Sequence, residues 1–208
     1  MREQHPFLAN EIKIKLIDYL VEKYHTPLLG NELLFSKNRR RADIVLLRNN
    51  KTIAFEIKGD SDDVRRLSGQ IKDYLSTFDK VNIICTRRLL KKILLLVPHS
   101  VGIILFDNEF KTLRKAKTSA KNTKQNLVFF MKKQELLKIF KTGQNHDTTD
   151  EIRKKVTSKY SLSDIRKAAF LSLKVRLTPI SKLFLQDKGM VTVKDDLLSL
   201  TGEIGPLR

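Results

Sequence analysis

Two carboxylates and an ammonium, Asp43, Glu56 and Lys58, have the types and spacing to do chemistry. They interrupt two apolar, β-branched runs, Ala42 to Leu47 and Thr52 to Ile57, which are separated by Arg48-Asn49-Asn50-Lys51. Asn tolerates the positive φ of tight hairpin turns, so the runs read as antiparallel strands with Asp43 opposite Glu56. Directly opposed residues leave the sheet on one face with Cβ atoms about 5 Å apart, and Lys58, two residues after Glu56, shares that face. Ile44, Leu46, Ile53, Phe55 and Ile57 line the other face as core. Facing carboxylates repel unless they share a proton, pair with cations or hold a hard divalent metal. Mg²⁺ takes one or two carboxylates and leaves positions for a substrate phosphate, while a neighbouring ammonium can stabilise developing negative charge. The competing reading is an ordinary cross-strand salt bridge at a sheet rim.

The surrounding elements are those needed to hold such a hairpin. Leu8, Ile12, Leu16 and Leu20 fall on one stripe, so Phe7 to Tyr24 reads as a helix ended by Thr26-Pro27. Val64, Leu67, Ile71, Leu75 and Phe78 predict a second helix over Asp62 to Phe78. A strand at Val81 to Cys85, a helix at Arg88 to Val97 and a strand at Val101 to Phe106 follow. Strands separated by helices favour parallel pairing by right-handed crossover, so residues 1–110 read as a three-layer α/β unit with a mixed sheet. Residues 111–125 read as a basic, mobile loop or linker, and Leu127 to Phe140 as an amphipathic helix within a 111–150 segment. A mostly helical C-terminal appendage over 151–208 has helices at Leu162 to Leu177 and Pro179 to Gln186.

Charge narrows the partners. In 208 residues, 41 Lys and Arg against 23 Asp and Glu leave a net +18. Residues 111–160 alone carry 14 basic and four acidic side chains. Lys111, Arg114, Lys115, Lys117, Lys121 and Lys124 invite a polyanion, because neutralising phosphates releases condensed counterions; a solvated lysine-rich linker is the alternative. Arg39, Arg40 and Arg41 beside Asp43 read as a phosphate clamp or as a solvated strand entrance. The single cysteine, Cys85, rules out an intrachain disulfide framework and fits a cytoplasmic location. The N-terminus reads as lacking a signal peptide, and no apolar run is long enough for a membrane span, so no membrane partner is expected.

Asp43 and Glu56-Ile57-Lys58 across a hairpin, flanked by helices, resemble the PD-(D/E)XK phosphodiesterase superfamily, the restriction-endonuclease-like fold. The wider string Arg41-Ala42-Asp43, Phe55 to Asp60, Arg65-Arg66-Leu67, Gln70, Tyr74 and Phe78-Asp79 is similar to a little-characterised bacterial branch of these nucleases. The resemblance covers residues 1–110. It implies Mg²⁺, with Mn²⁺ expected to substitute, held by Asp43, Glu56 and the Ile57 carbonyl, with Lys58 assisting the attacking water. Glu32 would add a third carboxylate from a preceding helical segment, or merely be a helix-start charge near Gly30. Gln70 and Tyr74, four apart and on one helix face with Arg66, would stand near the metal, or form an ordinary half-buried helix boundary.

The resulting expectation is a metal-dependent deoxyribonuclease, a hydrolase from a bacterium or mobile element. Asp43, Glu56, Lys58 and Gln70 would be catalytic. Arg39, Arg40, Arg41, Arg66, Tyr74, Lys111, Arg114, Lys115 and Lys117 would contact nucleic acid, most favourably DNA. Two alternatives stand beside it: a catalytically silent DNA-binding module, and an RNA-directed or defence-system nuclease. The sequence also allows a homodimer and a protein partner through the C-terminal region.

Overall fold

The computed structural model describes residues 6–36 and 39–201; the N-terminal residues Met1 to Gln4, read above as lacking a leader, lie outside them. Helix α1 (Ala9–Tyr24) buries Ile12, Leu16, Ile17 and Leu20 of the expected stripe, whereas Leu8, expected to begin it, precedes the helix and is exposed. Six strands follow: β1 (Leu28–Phe35), β2 (Arg40–Arg48), β3 (Lys51–Lys58), β4 (Lys80–Thr86), β5 (Gly102–Asp107) and β6 (Glu109–Arg114). They form one mixed sheet in sequence order. β1–β2–β3 and β5–β6 are antiparallel, while β3–β4 and β4–β5 are parallel. Helices α2 (Leu67–Leu75) and α3 (Arg87–Leu96) make the two crossovers.

The hairpin forms as its residues require. Asn49 and Asn50 both take positive φ, 50° and 55°, as a two-residue turn between twisted strands needs. Gly59 ends β3 because the chain entering α1 crosses it: a Cβ there would lie 2.6 Å from both the Ala9 nitrogen and the Phe7 carbonyl oxygen.

Two strands are additional to those expected. β1 was obscured by Gly30-Asn31-Glu32 in its centre, and Glu32 holds a left-handed φ of 50° inside the strand. Glu32 is therefore a strand residue, not a helix-start charge. Residues 111–125, expected as a mobile loop, instead begin with β6 and continue as a pinned segment: Ser119 donates its N–H to the Asp79 carbonyl at 2.7 Å and its hydroxyl to the Leu75 carbonyl at 2.7 Å. The second expected helix is shorter than its apolar spacing, starting at Leu67 rather than Asp62.

The C-terminal half comprises α4 (Lys124–Leu127), a 3₁₀ turn at Val128–Phe130, α5 (Lys133–Phe140), α6 (Thr149–Lys159), α7 (Leu162–Asp187) and α8 (Asp196–Ser199). The single helix expected over Leu127 to Phe140 is broken at Met131, which is extended (φ −105°, ψ 136°), and α5 starts afresh after Lys132, whose N–H donates to the Glu135 carboxylate at 2.6 Å. Conversely, α7 runs through Pro179 where two helices were expected. The Thr178 hydroxyl donates to the Lys174 carbonyl there, next to the carbonyl that proline leaves without a donor. α7 and α8 cover the β1 edge. The Ser181 hydroxyl takes the Leu29 N–H at 2.8 Å and meets the Leu29 carbonyl at 3.2 Å, and Asn31 bonds the Leu197 and Leu200 carbonyls. The apolar cluster is continuous from Ile12 to Leu200. Among the described residues, no helix is long and apolar enough to cross a membrane.

Candidate functional site

The β1–β2 register, from Leu28↔Leu47 to Phe35↔Arg40, and the β2–β3 register, from Ile44↔Phe55 to Arg48↔Lys51, place Glu32, Asp43 and Glu56 in one row across three strands. Glu32 and Asp43 are left out of the β1–β2 ladder, and the β2–β3 ladder stops one residue short of Asp43 and Glu56. Local backbone pairing is thus given up where the carboxylates meet.

Side chains of this protein satisfy them instead. Asp43 Oδ2 accepts the Ile57 N–H at 2.7 Å, and Asp43 Oδ1 lies 3.9 Å from Lys13 Nζ. Lys13, from α1, also pairs with Glu32. Glu56 Oε1 takes Lys58 Nζ at 2.7 Å, while Glu56 Oε2 takes the Tyr74 hydroxyl, which sits 3.2 Å from the Arg41 carbonyl. Burial pushes the Asp43 carboxyl up to about 7, with Glu56 adding to the rise and Lys13 and the Ile57 N–H opposing it. Burial, followed by the charges of Glu56 and Asp43, raises Tyr74 well above the ordinary phenol range, so it acts as a hydroxyl donor. Phe35 and Phe78 fix its ring, at centroid distances of 4.7 and 5.6 Å.

Asp43, Glu56 and Lys58 are therefore brought together, but as a network of carboxylates and ammoniums. Both Glu56 oxygens and one Asp43 oxygen are already engaged. Among the described residues no group of three His, Cys, Asp or Glu side chains is disposed to hold a metal ion. The residues expected to hold Mg²⁺ or Mn²⁺ are bonded here to groups of the protein itself, and Ile57 serves the site with its N–H on Asp43. Lys13 escaped the sequence reasoning; the available signal was a lysine four residues after Ala9 and four before Ile17, on the helix stripe that packs inward.

A cleft of about 490 Å³ opens beside this network, lined by Lys58, Asp63, Arg65, Arg66 and Gln70. Gln70 and Arg66 line this cleft with Lys58. Tyr74 stands beside the carboxylates as expected but is 1% exposed, so its expected contact with nucleic acid is corrected to one with Glu56. Arg39 is exposed in the turn before β2, and Arg41 is exposed on β2. Arg40 is drawn into an ion pair with Asp73 of α2, which removes it from the expected clamp. The expected lysine-rich surface lies elsewhere, since β6 is the far edge of the sheet, three strands from β3. Lys111, Lys115 and Lys117 are exposed there. Arg114 is not a free phosphate ligand: its guanidinium donates to the Val101 and Pro98 carbonyls at 2.8 and 3.3 Å.

Residues 3–201 match the family model described as bacteriophage P4 protein cII. Protein cII of Enterobacteria phage P4 is 31% identical over 185 residues, spanning 84% of this chain and 70% of the phage protein. The chain belongs to the bacteriophage P4 protein cII family. This membership corrects the function expected from the sequence: the relationship is to a phage cII protein, and neither match bears the name of a phosphodiesterase. The assignments as nuclease, hydrolase and endonuclease, DNA- or RNA-directed, are withdrawn with it. The phage relative does agree with the expected mobile-element origin. No solved structure matches the cII-family chain.

Proposed function

We propose that this cII-family protein binds nucleic acid, duplex DNA before other forms, in the cytoplasm. The observation carrying the reading is the cleft in which Lys58, Arg65 and Arg66 surround a single carboxylate, Asp63. Three cations against the one carboxylate, which is paired with Arg65 at 2.7 Å, leave the lining net positive. Lys58, held by Glu56, offers its ammonium from the floor, and Gln70 supplies a neutral donor and acceptor at the rim. A phosphodiester backbone is the polyanion such a lining suits, and the net charge of +18 draws it in. The cleft lining contains no aromatic side chain, which favours a duplex backbone over single strands that need stacking platforms.

The finer reading of the sheet belongs to the same proposal. Asp43, Glu56 and Lys58 at the end of a hairpin, followed by a helix and two parallel strands, support a restriction-endonuclease-like core whose carboxylates here organise lysines at a phosphate-binding cleft.

Fluorescence anisotropy of the full chain with a labelled duplex, a single strand and an RNA hairpin tests the proposal. The expected result is duplex binding at low salt that weakens steeply as salt rises. No binding at any salt concentration, or a tighter affinity for the single strand, would overturn it.

A further inference from the structure

The parallel strands β3, β4 and β5 end on a second cleft, of about 400 Å³, which neither the carboxylate network nor the cationic cleft includes. Thr86 lies at its base. Lys58 pairs with Cys85, so Thr86, the next residue, faces the opposite side of the sheet from Lys58. Crevices beyond the carboxyl ends of parallel strands are where open α/β sheets bind ligands.

Three observations converge there. Thr86 is 2% exposed, yet its hydroxyl has no hydrogen-bond partner among the described residues. Thr86 is also the N-cap of the ten-residue α3, but its side chain does not cap, so it does nothing for the first-turn amides that lack intrahelical acceptors. Finally, the first turn of α3 contains no acid and begins with Arg87 and Arg88, the charge least suited to the positive end of a helix dipole. An uncapped helix start, an unused buried hydroxyl and Arg88 at the positive end of the helix are each unfavourable alone; one anion would satisfy all three.

We propose that this cleft binds a phosphate monoester of a small organic molecule. Its phosphate would accept hydrogen bonds from the Thr86 hydroxyl and the first-turn amides of α3, with Arg88 as counter-ion. The two carboxylates at the rim are already occupied. Asp60 takes the Phe7 N–H at 2.8 Å, and Asp107 takes Arg87 at 2.8 Å. The volume exceeds that of a bare phosphate and lies within the range of small-molecule pockets, roughly 300–1,000 Å³. Phe7 and Phe106, packed edge to face at 5.1 Å, wall the space left for the body of the ligand.

The test titrates the full chain with inorganic phosphate and with adenosine monophosphate at constant ionic strength, read by calorimetry and thermal shift. Thr86→Val, Arg88→Ala and a duplex-binding control accompany it. Thr86→Val replaces an unpartnered buried hydroxyl by a methyl group and so keeps the fold. The expected result is saturable binding of both probes, tighter for the monophosphate, and at least tenfold weaker in either variant while duplex binding is unchanged. Failure of both probes to bind, or Thr86→Val binding them as wild type does, would overturn the proposal. Loss of duplex binding alone in the variants would also overturn it, by assigning the cleft to a nucleic-acid backbone. Because the two clefts share no lining residue and are read with different ligands, failure here is distinct from failure of the DNA-binding reading.

Discussion

At the scale of single residues, the informative feature is a carboxyl group whose protonation resists neutral pH. Asp43 titrates near 7 in the folded chain against 3.8 for an ordinary aspartate, chiefly because of burial. The folded state therefore binds more protons than the unfolded chain across that window. Its contribution to stability is complete below about pH 4, falls as pH rises to about 7, and then levels off. Asp43→Asn keeps an acceptor for the Ile57 N–H without the charge. It is expected to stabilise the protein by about 2 kcal/mol at pH 8, a figure reduced for the part of the side chain that solvent still reaches, and to change little at pH 4. Urea unfolding at both pH values measures this. Tyr74→Phe leaves Glu56 Oε2 without its donor and is expected to cost roughly 1–3 kcal/mol, seen as a lower urea midpoint at an unchanged slope. The convergence of Asp43, Glu56 and Lys58 was legible from strand alternation and a two-residue turn. Lys13 was legible only as a lysine on the inward stripe of α1; its role depends on the carboxylates it meets, and one of these, Glu32, sits on a strand hidden by its own residues.

At the scale of elements, the site depends on where α1 and the β1 edge are held. Gly59 lets the chain entering α1 pass directly over the end of β3, and Gly59→Ala would push Phe7 and Ala9 away. The expected loss is about 1–3 kcal/mol, measured by thermal or urea unfolding. Helices α1 and α3 and the hairpin could be read because their apolar residues keep one period. β1 could not, because Gly30, Asn31 and Glu32 interrupt its alternation for reasons outside the strand. Gly30 accepts the side chain of Leu177, 3.2 Å from where its Cβ would stand, and Asn31 bonds α8 and the residue after it. β6 was hidden for the opposite reason: as an exposed edge strand it carries Glu109, Lys111 and Arg114 and little apolar surface. Its charge also blunts an edge otherwise open to pairing with another chain.

For the whole molecule, the excess of positive charge is distributed over separate places. The cationic cleft beside Lys58 lies at the carboxyl end of β3, whereas Lys51, at the other end of that strand, bonds Thr118 of the basic segment at 3.0 Å. On the proposed reading, a duplex phosphate run seated in the cleft meets Arg65 and Arg66, while Lys115 and Lys117 lie outside the contact. Salt dependence separates these roles, because each phosphate contact contributes about 0.9 to the slope of log affinity against log salt. The decisive measurement is that slope for wild type, for Arg65→Ala with Arg66→Ala, and for Lys115→Ala with Lys117→Ala, on one duplex. The arginine pair is expected to lower the magnitude of the slope by about 2, while the lysine pair changes both affinity and slope little. An unchanged slope in the arginine variant, or a larger loss in the lysine variant, would contradict the cleft as the nucleic-acid site.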